Sequence, residues 1–278
     1  MKEIGIYVHI PFCKQKCKYC DFVSFANKFE IQEKYINTVL KEVENCEKKD
    51  FKVNTIYFGG GTPSLLESNL IIKVLNKIKE KFEVKENAEI TIEVNPGTVN
   101  KKKLEQYKNN GFNRISIGLQ SANNDILKTI GRIHTFEEFE ECFEFAKEVG
   151  FKNINVDLML ALPTQKMEDL KDSLNKVISL KPNHISLYSL ILEEGTILEK
   201  EVIEGLYVLP DDDVERKMYN LTKKILEKSG YVHYEISNFA KKGFESQHNL
   251  NCWNQEEYLG FGLAAHSYFD KKRFSNTR

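Results

Sequence analysis

An α/β fold is what the sequence predicts: a partial parallel β/α barrel of six strands with an aromatic-rich C-terminal extension. Short β-rich apolar runs alternate with longer stretches of helical periodicity, and repeated βα units build a parallel sheet. Glycines and isolated polar residues gather late in those runs or just past them, on the C-terminal mouth where parallel β/α barrels bind ligands. The length of 278 residues suits such a barrel as a single domain and demands no split.

The strands run from Ile4 to Ile10, Thr55 to Phe58, Glu89 to Val94, Arg114 to Leu119, Asn153 to Leu158 and His184 to Leu190. Apolar spacing places amphipathic helices between them, near Ile31 to Cys46, Leu70 to Phe82, Lys102 to Asn109, Phe136 to Val149 and Met167 to Leu180. Gly111, Gly150 and Pro182 close several of these. From Pro210 the run Pro-Asp-Asp-Asp supplies an N-cap and dipole-favoured acids for a helix through Leu226. Residues Tyr231 to Arg278 are rich in aromatics and Asn and read as short strands and loops packed on the sheet. The expected division is therefore residues 1–209 as the barrel with its cysteine loop and residues 210–278 as the extension.

Forty Lys plus Arg against 41 Asp plus Glu leave a net charge of -1, so no basic field attracts nucleic acid. The opening apolar stretch is too short to span a membrane and lacks a secretory cleavage signal, which points to a cytoplasmic protein. Three of the six cysteines fall within eight residues while Cys46, Cys142 and Cys252 are isolated, unlike a secreted disulfide scaffold. Clustered cytosolic thiols point to metal.

Cys13, Cys17 and Cys20 form a C-x3-C-x2-C loop, three thiolates where a closed zinc or iron–sulfur site takes four. An iron left without a protein thiolate accepts a small chelating molecule, and Lys14, Lys16 and Lys18 would offset the anionic charge of a cluster. A structural zinc site completed by a distant His or Cys is the alternative. Gly59, Gly60, Gly61, Thr62 and Pro63 follow the second strand, where missing side chains would let the backbone approach a ligand. No Gly-Lys-Ser/Thr follows, which disfavours a triphosphate loop. Glu93, Asn95, Pro96, Gln120 and Asp157 stand at or near strand ends, and one acid at a strand end is as readily structural as functional. Several polar residues converging on one mouth favour a binding site.

The segment Tyr7-Val8-His9-Ile10-Pro11-Phe12-Cys13, continuing through Cys17, Tyr19, Cys20 and Asp21 to Phe22, resembles the opening of the radical-SAM proteins related to oxygen-independent coproporphyrinogen III oxidase. The resemblance runs from Tyr7 to about Tyr268. It implies that Cys13, Cys17 and Cys20 hold a [4Fe-4S] cluster and that the amino and carboxylate groups of S-adenosylmethionine (SAM) chelate its fourth iron. An electron from the reduced cluster would then cleave the sulfonium to a 5'-deoxyadenosyl radical. By position Gly60, Gly61 and Thr62 inherit contacts to the methionine part of SAM. Glu93, Gln120, Arg132 and Asp157 match SAM-contact positions of the family, and Tyr7 and Tyr19 match two more near the cluster. Gln120, Arg132 and Asp157 would belong to a second SAM position.

His248-Asn249-Leu250-Asn251-Cys252-Trp253 resembles the His-Asn-x-x-Tyr-Trp element of the heme-chaperone subgroup, with Cys252 in place of tyrosine. His248 is a candidate heme ligand, Trp253 a candidate partner for the porphyrin face, and Cys252 either a small packing residue or a second soft ligand. Two functions compete: a chaperone that carries heme to an acceptor protein, and a decarboxylase acting on coproporphyrinogen III. The decarboxylase subgroup typically has a further cysteine where this chain has Phe22, which favours the chaperone. Heme or a porphyrinogen, an electron donor and a heme-acceptor protein are the implied partners. The sequence stops at Phe274-Ser-Asn-Thr-Arg278 where family members usually continue, so the resemblance implies a truncated extension.

Overall fold

The computed structural model describes residues 1–48 and 50–277. Its centre is a parallel sheet of β1 (Lys2–Ile10), β2 (Phe51–Gly60), β3 (Glu83–Val94), β4 (Arg114–Gln120), β5 (Asn153–Leu160) and β6 (His184–Ser189), paired in chain order. Crossing between these strands are α1 (Gln32–Glu44), α2 (Ser68–Lys81), α3 (Lys101–Asn109), α4 (Asn124–Thr129), α5 (Phe136–Glu148) and α6 (Met167–Leu180). The helix starts are chemically specified. Asn100 and Asn123 cap α3 and α4, and Thr135 with Glu138 forms a capping box on α5.

Period-two alternation decides which face each strand shows to the helices. On β1, Ile4, Ile6, Val8 and Ile10 are fully buried in the same core as Ile36, Val39, Val43, Ile71 and Val74 of α1 and α2. Burying each such side chain contributes about 1.5–3 kcal/mol, so this layer rather than the scattered surface ion pairs holds the barrel wall. The alternate residues of the strands face inward and are mostly polar. Glu93, Ser116, Asn155 and His184 lie side by side in register across β3 to β6.

Beyond β6 come α7 (Ile197–Ile203), α8 (Asp212–Lys228), β7 (Val232–His233), β8 (Asn238–Ala240), α9 (Gln247–Trp253), β9 (Tyr258–Phe261), β10 (His266–Phe269) and β11 (Lys272–Ser275). Asp211 caps α8 by accepting from the Val214 amide at 2.8 Å. The strands after residue 231 extend the sheet at both edges instead of lying on its face. β8 and β7 add antiparallel beside β6, while β9 runs parallel to β1 with Tyr7 opposite Gly260 and carries β10 and β11. The His248 segment, expected as strand and loop, is helical. Ser246 caps it, and its first turn sits at the barrel end opposite the cysteine loop. Among the described residues no helix is long and apolar enough to cross a membrane.

Candidate functional site

β1 delivers the cysteine loop to the mouth, where Phe12–Cys13 pairs with Phe25–Ala26 and folds the loop back on itself. Cys13, Cys17 and Cys20 line one cavity of about 510 Å³, a size suited to a small cofactor. Of the residues matched to SAM contacts, Tyr19, Gly60, Gly61, Thr62, Glu93, Gln120, Arg132 and Asp157 line this same cavity. Tyr7 does not. Its ring stands behind Tyr57, with centroids 6.3 Å apart, and its hydroxyl shares a 3.0 Å hydrogen bond with His9 Nδ1.

The thiols fit an iron–sulfur cluster better than a lone ion. Among the described residues no three His, Cys, Asp or Glu side chains converge as a mononuclear ion requires, whereas a cuboidal cluster takes each thiolate on a different iron. Polar donors also reach the sulfurs: Thr62 Oγ1 donates to Cys13 Sγ at 3.6 Å and Arg132 Nη1 to Cys17 Sγ at 3.6 Å. Burial pushes the Cys13 and Cys20 thiols up, so holding them as thiolates calls for cationic charge in the cavity. The neighbouring lysines do not all supply it. Lys18 Nζ pairs with Glu201 at 2.7 Å, whereas Lys16, its Nζ donating to the neutral Phe22 carbonyl, keeps its charge near Cys20, and Arg132 is the cation hydrogen-bonded to a sulfur.

The glycines serve the loop itself. A Cβ on Gly61 would lie 2.9 Å from the backbone N and O of Phe12, and one on Gly60, where φ is +112°, would strike the His9 ring at 2.6 Å. Without side chains there, Gly61 N donates to Ile10 O at 2.9 Å and Thr62 N to Phe12 O at 2.8 Å. The close approach expected for a ligand is made by the cysteine loop, which these bonds lock onto the end of β2. His9 completes the seat from below, Nε2 lying 2.8 Å from the Val23 carbonyl.

Glu93 stands deep in the cavity. Tyr57 Oη donates to its Oε1 at 2.8 Å and Gly60 N to its Oε2 at 3.3 Å, yet burial raises its pKa to about 7. Asp157 is also raised by burial, and its oxygens accept from Ser116 Oγ at 3.0 Å and Asn155 Nδ2 at 2.7 Å. Asn155 Oδ1 in turn lies 2.6 Å from His184 Nδ1. Asp157 therefore belongs both to the cavity wall and to a buried polar row. Gln120 sits at a register shift with φ +70°, a strained backbone for a non-glycine residue. Its Oε1 and the Nε of Arg132 are buried without hydrogen-bond partners among the described residues, the orphaned groups a polar ligand would satisfy.

His248 is placed elsewhere. Only 6% exposed, it stacks on Tyr57 with centroids 5.1 Å apart, and its Nδ1 lies 2.9 Å from Thr55 Oγ1. Its own amide and that of Gln247 each donate to the Glu89 carboxylate at 3.1 Å. Burial pushes the imidazole down to about 4, with the Arg114 guanidinium adding to the effect. A porphyrin has no room to lie against this ring while α9 closes the barrel end, so the expectation of a heme-ligating His248 does not fit this arrangement. Cys252 and Trp253, at the other end of the same helix, are exposed, Trp253 by 57%.

Sequence reasoning passed over Tyr57 and Arg114, and it set Asn95 at the mouth without a role. Asn95 joins Thr62 to Arg132, accepting from Arg132 Nη2 at 2.8 Å and donating to Thr62 Oγ1 at 2.9 Å. Arg114, 2% exposed, is 4.0 Å from Glu89 and lies among the inward acids. The available signal was parity: each keeps the inward phase of a strand whose outward residues are apolar, Asn95 one step past its end.

The family model described as the Radical SAM superfamily matches residues 7–177. "Heme chaperone HemW" of Lactococcus lactis subsp. lactis is 41% identical over 275 residues, 99% of this chain and 72% of that protein, and its Escherichia coli counterpart is 39% identical over 269 residues, covering 96% and 70%. The chain belongs to the radical SAM superfamily, in the family of the HemW proteins. Membership implies a [4Fe-4S] cluster and SAM as cofactors. The Danio rerio protein "Radical S-adenosyl methionine domain-containing protein 1, mitochondrial" is 36% identical over 269 residues, 96% of this chain and 61% of its own. Among solved structures, that of "Coproporphyrinogen III oxidase (HemN) from Escherichia coli" aligns with a TM-score of 0.88 at 24% identity, over 99% of this chain and 67% of that one, a likeness of fold.

Proposed function

We propose that this chain is a cytoplasmic radical-SAM heme chaperone that binds heme and passes it to an acceptor protein. The observation that carries the reading is the match over 96–99% of the chain to proteins named heme chaperone. Phe22, 64% exposed where a decarboxylase would bring a further thiol, supports it.

In this reading Cys13, Cys17 and Cys20 hold the cluster and leave one iron open. Gly60, Gly61 and Thr62 bound the pocket beside it, and Glu93, once ionised, accepts from the ligand's ammonium group. Gln120, Arg132 and Asp157 bind the remainder of this ligand or a second one, the orphaned Gln120 Oε1 and Arg132 Nε finding partners there. Tyr19 walls the pocket, and Tyr7 acts from behind by fixing His9 and Tyr57. The chemistry that cluster and SAM supply together, when bound and reduced by an electron donor, is one-electron cleavage at the sulfonium.

For heme, the accessible face of the His248–Trp253 element is its C-terminal turn. Cys252 lies on this exposed turn, although burial pushes its thiol up, and once deprotonated it offers an iron ligand, while the exposed indole of Trp253 offers a flat apolar partner for a macrocycle. Anaerobic reconstitution followed by heme titration tests the reading: Cys252→Ala should abolish the thiolate-type Soret band, while His248→Ala leaves it in place. If heme fails to bind and the reconstituted protein converts coproporphyrinogen III with SAM and a reductant, the chaperone reading is wrong and a decarboxylase takes its place.

A further inference from the structure

Two of the three cysteine sulfurs are joined by an unbroken run of hydrogen bonds that does not pass through the loop carrying them. Thr62 Oγ1 donates to Cys13 Sγ at 3.6 Å, and Asn95 Nδ2 donates to Thr62 Oγ1 at 2.9 Å. From the other side Arg132 Nη2 donates to Asn95 Oδ1 at 2.8 Å, and Arg132 Nη1 to Cys17 Sγ at 3.6 Å. The joint is the amide of Asn95. By occupying an acceptor position on Thr62 Oγ1, its nitrogen turns the hydroxyl hydrogen toward one sulfur; its oxygen holds the guanidinium against the other.

We propose that Asn95 is a positioning residue that sets the reduction potential of the cluster on Cys13, Cys17 and Cys20 by aiming one donor at each of two sulfurs. The proposal rests on reading these cysteines as a [4Fe-4S] site. Donors to the ligating sulfurs stabilise the more anionic, reduced cluster and so raise its potential. Arg132 suits that role because its hydrogen-bond acceptors are neutral apart from the sulfur: the Asn95 amide and the Gly118 carbonyl at 2.7 Å. The Asn95 backbone is fixed independently of its side chain. Its amide donates to Ser64 Oγ at 3.3 Å, and its carbonyl accepts from Thr98 N at 3.1 Å and Thr98 Oγ1 at 2.7 Å. A side-chain substitution can therefore change the relay without moving the strand end.

Why an amide and not an acid stands here follows from the same geometry. In Asn95→Asp the carboxylate would pair with Arg132 and neutralise it, and would accept the Thr62 hydroxyl hydrogen, diverting both donors from sulfur. Asn95→Ala releases the donors without redirecting them. The test is redox titration of the anaerobically reconstituted full chain, followed by electron paramagnetic resonance without SAM, alongside iron and sulfide analysis. The inference expects both variants to keep wild-type iron and sulfide, with a midpoint below wild type for Asn95→Ala and lower still for Asn95→Asp. Midpoints equal to wild type in two fully loaded variants overturn it. Should both variants lose iron, Asn95→Ser decides, since its hydroxyl cannot span both partners: a lowered midpoint supports the inference and an unchanged one overturns it. A wild-type chain that takes up no cluster sinks the cysteine reading and this inference together, and shows itself in the iron analysis before any potential is measured.

Discussion

Replacing Glu93 by Gln tests the electrostatics of the mouth directly. Burial is the main reason this carboxyl rises from its ordinary 4.5 to about 7, with Asp157 adding to it and the Tyr57 hydroxyl and Gly60 amide opposing it. A carboxyl whose pKa is raised by folding binds its proton more tightly in the folded chain. Stability is then greatest below the unfolded value and falls as pH climbs from 4.5 to about 7. The full loss is about 3 kcal/mol, an upper bound because water entering the cavity softens it. Glutamine removes the charge and keeps an acceptor for Tyr57. It risks facing its own NH₂ against the Gly60 amide, which costs about 1 kcal/mol. For protein free of cluster and SAM, the variant should thus be about 1–2 kcal/mol more stable than wild type near pH 8 and about 1 kcal/mol less stable near pH 4, below the unfolded value. Urea unfolding at the two pH values, with thiols kept reduced, reads this as a crossing of the two midpoints. SAM binding should weaken in the same variant, because the charge destabilising the empty site is the one that meets the ligand's ammonium group. A variant less stable than wild type by the same amount at both pH values would refute the reasoning.

Gly61→Val should strip iron from the reconstituted protein, since its first side-chain atom already falls 2.9 Å from the Phe12 backbone; iron content equal to wild type would show that the loop docks differently. Glu89→Ala should destabilise the fold by about 3–5 kcal/mol, because it takes away the carboxylate 4.0 Å from the buried Arg114 and uncaps α9, and chemical denaturation measures it. His248→Ala should lower stability by about 2–3 kcal/mol, a typical large core truncation, without loss of heme, whereas loss of heme at unchanged stability would restore His248 as a ligand.

The barrel wall was legible because its strands carry local signals. Ile4, Ile6, Val8 and Ile10 alternate cleanly, and every residue of β4 is buried. The edges were not legible for physical reasons. β9 pairs with β1 across most of the chain, and no local pattern in Tyr258–Phe261 specifies a partner that far away. Helix α9 carries Gln247, His248, Asn249 and Asn251, too polar for an apolar stripe; what makes it a helix is the Ser246 cap and the distant Glu89 carboxylate on its first turn. At the mouth, the cysteines and the resemblance named the principal residues, and the cavity gathers all of them except Tyr7 and His248. Tyr57, and the role of Asn95 at the mouth, stayed hidden because their importance lies in contacts to Glu93, Thr62 and Arg132, and those contacts exist only once the strands are in register.

Anaerobic titration of the reconstituted chain with heme, followed by transfer to an apo heme protein and paired with an assay of coproporphyrinogen III plus SAM and reductant, tests the central claim most directly. The account predicts saturable heme binding that Cys252→Ala removes, transfer of that heme to the acceptor, and no protoporphyrinogen IX. Absence of heme binding together with formation of protoporphyrinogen IX would contradict it.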